Sequence, residues 1–200
     1  LVDLIALYAA RQMETISGEE YAAAVAALEG LPELLEKVLA QREQIQYLAS
    51  LYFNHPSVFF IGRNLDYAVG LEGSLKLKEI SYLHSEAYAA GELKHGTISL
   101  VENGTLVVAL AGYAPLFEKT MSNVVEVKSR GADVLGLTME GFEKPMSEVV
   151  NHTLTVPSAH PMLLPSLEVV PMQLFAYYVA LMHGCDIDKP RNLAKSVTVE

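Results

Sequence analysis

Three charged side chains share one face of a predicted helix and are the first candidates for chemistry. Glu72, Lys76 and Glu79 stand at positions i, i+4 and i+7 of the segment 67–83, whose pattern is helical. One interpretation is an ordinary Glu72–Lys76 surface pair that supports the helix, with Glu79 in solvent. The other is a carboxylate and an amine that point into a cleft, where such a carboxylate can move a proton between adjacent carbons of a sugar. The spacing alone leaves both interpretations open.

A histidine and a lysine outside this helix are the other candidates. His95 lies in a predicted loop with Glu92 and Lys94 beside it. Histidine exchanges a proton near neutral pH, so this residue is suited to the opening of a sugar ring. Lys195 lies in the last stretch of the chain, which ends in a β-branched run without helical period. It is either a solvated terminal charge or a nucleophile carried on a flap.

Composition excludes several classes of protein. The chain has 200 residues, half of them hydrophobic, and a formal charge of −10, which argues against non-specific binding to nucleic acid. Its single cysteine, Cys185, excludes an internal disulfide and is typical of a reducing cytoplasm. The sequence shows no bilayer-spanning run and no metal-ligand spacing of histidine or cysteine. Because it begins at Leu1 inside an amphipathic pattern, we expect it to be a fragment of a longer protein.

Helical and apolar segments alternate along most of the chain. Strands are predicted at four continuous apolar runs: Val58–Ile61, Leu106–Leu110, Val134–Leu137 and Leu154–Val156. Helices are predicted at six segments: Leu1–Met13, Ser17–Glu29, Pro32–Tyr52, Tyr67–Leu83, Pro115–Ser129 and Leu167–Met182. This alternation predicts a parallel sheet covered on both sides, with ligands beyond the carboxyl ends of the strands. The segment 62–64, after the first strand, is either an anion loop or an ordinary turn.

The helix at 67–83 is predicted to present two different polar faces. Glu72, Lys76 and Glu79 form a charged stripe between apolar arcs, one of which contains Leu71 and Leu75. The opposite face holds Gly70, Ser74 and Lys78, and its small polar residues predict that it faces solvent.

Three segments carry a resemblance to a known family. Leu71–Tyr82, Glu86–Gly96 and Pro190–Glu200 closely resemble the isomerase half of glucosamine-6-phosphate synthase, the glutamine–fructose-6-phosphate aminotransferase (isomerizing) family. The resemblance extends over essentially the whole chain. It implies a three-layer α/β/α sugar-isomerase (SIS) domain with a mostly parallel, flavodoxin-like sheet, preceded by linking helices. Residues 1–48 would join a first SIS subdomain, 49–189 would form the second, and 190–200 would be an active-site tail.

The resemblance also implies roles for matching residues. Glu79 corresponds to the base that moves the proton between C1 and C2 of the sugar, and Lys76 assists it. His95 corresponds to a ring-opening histidine that reaches the partner subunit's site. Lys195 corresponds to the lysine that forms a Schiff base with the open ketose. We expect Glu72 and Ala194 to contact the substrate.

The same resemblance implies the partners of the chain. They are a phosphosugar substrate, a second copy in a homodimer and a glutaminase domain, in a cytoplasmic protein without metal or organic cofactor. One departure is Thr97, where the family usually has proline after the His-Gly pair. Because the glutaminase and the first SIS subdomain are absent from the sequence, we expect this chain alone to be inactive as a synthase.

The residues leave three alternative functions possible. A non-catalytic SIS module that senses sugar phosphates would share the fold but would need no Schiff-base lysine. A plain aldose–ketose isomerase would need no ammonia. A dimerisation unit would use the apolar helix around Leu4–Tyr8 for self-association.

Overall fold

One parallel sheet organises the molecule. The computed structural model describes residues 1–191, and its five strands are all parallel in the order β2-β1-β3-β4-β5. The strands are β1 Ser57–Gly62, β2 His84–Ala89, β3 Leu106–Ala111, β4 Asp133–Met139 and β5 His152–Val156. The predicted parallel sheet is thereby confirmed. This strand order places the reversal of winding between β1 and β3, where open α/β sheets usually bind ligands.

Helices cover both faces of the sheet. The α-helices of the described residues are α1 Val2–Gln12, α2 Gly18–Leu39, α3 Arg42–Tyr52, α4 Leu65–Ser81, α5 Phe117–Ser129, α6 Glu143–Ser147 and α7 Leu164–Met182, of which α1 packs on α2 and not on the sheet. Alternate residues of β1 show the two layers, since Val58 and Phe60 pack with α3, α4 and α7, whereas Phe59 and Ile61 pack with α5. A strand buried on both faces needs no polar alternation, which explains its continuous apolar run. The predicted three-layer α/β/α fold is confirmed.

The second and third helices differ from the prediction. The sequence predicts one helix ending near Glu29 and another from Pro32 to Tyr52, but α2 runs unbroken from Gly18 to Leu39 with Pro32 inside it. Helix α2 ends at Leu39, and two residues separate it from the start of α3. Leucines on both sides of Pro32 pack against the core, and this burial outweighs the hydrogen bond that proline removes.

Helix α3 packs into the same core and covers the edge of the sheet. Ile45, Leu48 and Tyr52 are buried with the strands. Gln41, which caps α3, donates to the carbonyl of Thr155 on β5 at 2.8 Å. These side-chain contacts occupy an edge strand that would otherwise expose unpaired backbone groups. The subdomain boundary at residue 48 stays a prediction.

Strand β2 and the packing of α4 also depart from the sequence prediction. The apolar patterns did not indicate β2, an edge strand that pairs only with β1. Gly70 and Ser74, predicted to face solvent, are buried, and the Ser74 hydroxyl lies 3.1 Å from that of Ser85 on β2. The apolar Leu71 and Leu75 are instead exposed. Small residues face the sheet because they let the helix approach it closely.

Helix α7 is a core helix. The sequence prediction that no run is long enough to span a bilayer is wrong for α7: in the part of the chain that the structure describes, the stretch Pro161–Met182 is long and apolar enough to cross a membrane by length and composition alone. Half of the most apolar part of this stretch is buried in the protein, and α7 packs along α3 and α4. Burial against neighbouring helices accounts for its apolar character.

Candidate active site

The predicted charged stripe on α4 forms a bridged cluster. The Lys76 amine donates to Glu79 Oε2 at 2.9 Å and lies 3.4 Å from Glu72 Oε1. The surface-pair interpretation leaves Glu79 in solvent, whereas its side chain is 25% exposed and makes the shorter contact. The structure therefore brings three of the predicted site residues together, with one amine between two carboxylates.

The carboxylates fix the charge of the lysine. The hydrogen bond that Lys76 donates to Glu79 is the main cause that raises the pKa of Lys76; burial opposes this increase, and the negative charges of both glutamates add to it. Lys76 is therefore an ammonium ion at neutral pH. A protonated amine has no free electron pair, so Lys76 can donate protons and orient carboxylates but cannot act as a nucleophile.

The cluster lies on the seam between α4 and α7, beside two depressions. Lys76 lines a cavity of about 440 Å³ whose other walls include Ile80, Gln173 and Tyr177. Glu72 lines a smaller groove of about 290 Å³ on the other side, together with Ser166 and neighbouring apolar residues. Mostly apolar walls with a few convergent polar groups are the usual lining of small-molecule sites.

The structure keeps His95 apart from this cluster. Its short helix, Ala90–His95, packs through Ala90 and Leu93 on the α5 side of the sheet, whereas α4 packs on the other side. The imidazole is 75% exposed and lies 3.9 Å from the Glu92 carboxylate. Among the described residues, none links His95 to Lys76. Within one chain His95 is thus an exposed side chain outside the α4 cluster.

The two site residues predicted near the carboxyl terminus, Ala194 and Lys195, lie outside the described residues. Their contacts with the α4 cluster stay predictions.

A buried pair of acids, which sequence analysis missed, fills the usual ligand crevice of the fold. Asp66, in the first turn of α4, accepts the backbone N–H of Tyr113 at 3.1 Å, directly beyond the end of β3. Glu168 of α7 reaches the same place, where its Oε1 occupies the space that a side chain on Gly112 would need. Both carboxyls are fully buried. The crevice between β1 and β3 is therefore occupied by acidic side chains.

Among residues 1–191, no lysine, arginine or histidine forms an ion pair with Asp66 or Glu168. Burial raises the pKa of Asp66 to about 7, and burial together with the charge of Asp66 raises the pKa of Glu168 well above its usual range. The two acids accordingly hold at least one proton at neutral pH. The one sequence signal is a lone glutamate in the long apolar run of α7.

The segment 62–64 forms a tight turn whose arginine is already engaged. A side chain at Gly62 would meet the Asp66 backbone at 2.6 Å, and Asn64 adopts a left-handed φ of 53°. Arg63 donates to Asn123 of α5 at 2.9 Å and lies against Gly91. This cation is held away from the acid pair by α5. The contacts favour the ordinary turn over the anion loop.

Residues 1–191 contain no group of three histidine, cysteine, aspartate or glutamate side chains placed to hold a metal ion.

The chain resembles known proteins along nearly its whole length. Glutamine–fructose-6-phosphate aminotransferases [isomerizing] of Clostridium acetobutylicum and Caldanaerobacter subterraneus are 52% and 53% identical over 197 residues. The match covers 98% of this chain but 32% of each relative, so the chain spans about a third of their length.

Solved structures and a family signature agree with these relatives. The C-terminal domain of glucosamine-fructose-6-phosphate aminotransferase from Francisella tularensis superposes with a TM-score of 0.85 at 32% identity, covering 92% of this chain and 51% of that one. A glucosamine-6-phosphate deaminase from Thermotoga maritima superposes with a TM-score of 0.65 at 27% identity, over 98% of this chain and 56% of that one. The SIS domain signature matches residues 51–183. The chain belongs to the SIS domain family.

Proposed function

We propose that this chain is the isomerase part of a glutamine–fructose-6-phosphate aminotransferase. The whole protein would convert fructose 6-phosphate and glutamine to glucosamine 6-phosphate and glutamate. The names of the relatives at about 50% identity support this reaction, and the α4 cluster supplies groups suited to the isomerisation.

The observation that carries the proposal is the Lys76–Glu79 contact of 2.9 Å beside an apolar cavity. Glu79 is the base that moves a proton between C1 and C2 of the sugar, and Lys76 orients this carboxylate through its hydrogen bond. Glu72 holds Lys76 from the other side and faces the groove where substrate would lie.

A protonated Lys76 leaves the nucleophile to another residue, and we assign that role to Lys195. The unprotonated Lys195 amine adds to the C2 carbonyl of the open-chain ketose, and loss of water leaves an iminium ion. Ammonia from glutamine then adds to C2 and releases the lysine amine, so that the new C–N bond replaces the bond to Lys195. Ala194 precedes Lys195 in the sequence and would close over the sugar.

The remaining groups must come from other parts of the protein. The acid pair fills the crevice in which this fold often binds anions, so we propose that another SIS subdomain binds the sugar phosphate. The exposed apolar residues of α1, which include Leu4, Ile5 and Tyr8, support contacts with such a subdomain. The exposed His95 would open the sugar ring in the site of a second copy. A glutaminase domain would supply ammonia, in a cytoplasmic protein.

Covalent trapping tests this proposal in the full-length protein. Borohydride with fructose 6-phosphate should reduce the iminium to a stable secondary amine, seen by mass spectrometry as sugar attached to Lys195. Lys195→Arg should abolish both the adduct and turnover. Lys78→Arg is the matched control, since Lys78 is an exposed lysine of α4 outside the cluster. Full turnover by Lys195→Arg would contradict the proposal.

A plain aldose–ketose isomerase is the second candidate, because a Glu79 carboxylate can move a proton without ammonia. Product formation from fructose 6-phosphate in the absence of glutamine, without any amino sugar when glutamine is added, would favour it. A sugar-phosphate sensor would show neither product nor adduct.

A further inference from the structure

The short helix that carries His95 is held in place by its inner residues. Ala90 and Leu93 of this helix are buried, in the apolar cluster that also contains Val124 of α5. The His95 imidazole, by contrast, is three-quarters exposed at the end of the helix. The short helix therefore presents its histidine to the surface from a buried base.

Arg63 makes a second contact with the short helix. It follows β1, and its Nη2 donates to the side-chain oxygen of Asn123 on α5 at 2.9 Å. The position that a β-carbon on Gly91 would take lies 3.1 Å from both terminal nitrogens of the same guanidinium. Because Gly91 has no side chain, the guanidinium can lie directly against the backbone of the short helix. Arg63 thus bridges the short helix, the end of β1 and α5.

A second polar contact joins the short helix to α5, but it is the weaker of the two. Lys94 Nζ lies 3.2 Å from Glu126 Oε2, and the Lys94 side chain is 61% exposed. Ion pairs between exposed side chains contribute little free energy. A hydrogen bond from a charged group to a buried amide, such as that from Arg63 to Asn123, contributes more. The Arg63 bridge is therefore the main polar contact that fixes this helix.

The backbone directly after His95 adds no such restraint. Gly96 has a φ of 146°, a conformation that residues with a β-carbon rarely adopt. Among residues 1–191, no atom beyond its chain neighbours lies within 4 Å of the position of a β-carbon on Gly96. The orientation of His95 therefore depends on the contacts that precede it in the chain.

We propose that Arg63 is a positioning residue that fixes the short helix Ala90–His95 through Gly91 and so holds the His95 imidazole in place for ring opening. The inference rests on the proposed role of His95. In ring opening the C2–O5 bond of the furanose breaks, O5 gains a proton, and the hydroxyl on C2 loses its proton as it becomes the carbonyl. His95 would carry such a proton, whereas Arg63 touches no reacting atom. The bridge acts by reducing the orientations that the imidazole must sample.

The test compares two substrates in the full-length protein. Fructose 6-phosphate is mostly a furanose and must open, whereas 5-deoxyfructose 6-phosphate lacks the hydroxyl that closes the ring. Arg63→Met removes the bond to Asn123, so turnover of fructose 6-phosphate should fall about 10-fold, while that of the deoxy sugar should stay within about 2-fold. His95→Asn should show the same selectivity with a loss of about 100-fold. Arg42→Met is the matched control, since Arg42 is an exposed arginine at the start of α3, on the other side of the sheet.

Two further variants test the bridge without removing the whole side chain. Gly91→Ala pushes a methyl group against the guanidinium and should give the same selectivity at about 3-fold. Arg63→Lys keeps a charged donor without the planar fork, so it should recover part of the loss seen in Arg63→Met.

The results separate the bridge from the proposed role of His95. Equal losses on both substrates in Arg63→Met, or no loss on either, would overturn the inference, and a selective loss in His95→Asn would then leave the proposed function intact. Absence of selectivity in His95→Asn would overturn both. The same would follow if the unmodified protein did not turn over the deoxy sugar, because the open-chain ketose would then not be the reacting species.

Discussion

Helices α4 and α7 meet at two acidic clusters that differ in burial and in the presence of a cation. Asp66 and Glu168 are fully buried and form no ion pair within residues 1–191, whereas Glu72 and Glu79 are partly exposed on either side of Lys76. Burial without a cation raises the pKa values of the first pair, and the carboxylates of the second cluster raise the pKa of their lysine. The Asp66–Glu168 pair is therefore at least partly protonated at neutral pH, whereas the Lys76 cluster places a charged amine beside a surface depression.

The difference assigns separate tasks to the two clusters. A buried, protonated acid pair fills the crevice that the fold normally leaves for ligands, and it has no access to solvent. The Lys76 cluster keeps a carboxylate accessible and oriented, as proton transfer requires. The strand topology alone would place the ligand at the first site, whereas the charges and exposure of the side chains favour the second.

The largest expected effect follows from removing the accessible carboxylate. Glu79→Gln keeps the size of the side chain but cannot accept a proton, so turnover of the full-length protein should fall about 10³-fold with stability unchanged. Formation of glucosamine 6-phosphate measures it. Glu118→Gln on the exposed face of α5 serves as the control. A variant that keeps more than half of the activity would contradict the role of Glu79.

Adding a methyl group beside the buried Asp66–Glu168 pair should lower the stability of the protein. Gly112→Ala places a methyl group against the buried Glu168 carboxyl and should lower the free energy of unfolding by about 2–3 kcal/mol. Urea denaturation measures this change. If the contact between the new methyl group and the Glu168 carboxyl causes this destabilisation, the Gly112→Ala substitution should cost much less stability in a protein that already carries Glu168→Ala. If the destabilisation by the two substitutions is strictly additive, that contact is not the cause.

The acid pair should also make stability depend on pH. A carboxyl whose pKa is raised to about 7 binds a proton in the folded chain but not in the unfolded one, so stability falls as pH rises from about 4 to 7. Glu168→Gln removes one of the two charges and should raise stability by about 2 kcal/mol at pH 8, with little change at pH 4. Equal pH profiles for both proteins would contradict the repulsive pair.

The smallest expected effect is on stability in the Lys76 cluster. Lys76→Gln should change the free energy of unfolding by less than about 0.5 kcal/mol, because partly exposed ion pairs contribute little. Its turnover should nevertheless fall about 10-fold, since Glu79 loses its partner. A stability loss comparable to that of Gly112→Ala would place Lys76 in a structural role.

The sequence correctly predicts the strands that are buried on both faces. It does not predict the elements whose conformation depends on contacts with other parts of the chain. Four strands follow from continuous apolar runs, because strands covered on both faces consist almost entirely of such residues. Strand β2, with small and polar residues, is recognisable only from its pairing with β1. Pro32 predicts a helix start, but tertiary contacts keep α2 continuous.

The candidate site divides in the same way. Helical spacing alone predicts that Glu72, Lys76 and Glu79 lie together, since one helix places them. Asp66 and Glu168 lie far apart in sequence and meet only because α7 crosses the end of β3, so no local pattern reveals the pair. Periodicity likewise cannot show which face of α4 meets the sheet, and the prediction that Ser74 faces solvent is therefore wrong.

The exchange of substrate hydrogen with solvent tests the central claim most directly. In D₂O the full-length protein should form glucosamine 6-phosphate that carries solvent deuterium at C2, detectable by NMR. Glu79→Gln should still form the borohydride-trapped adduct on Lys195 but show no such exchange, because the amine is present and the base is missing. Exchange by Glu79→Gln at the unmodified rate would show that the cluster on α4 does not carry the proton.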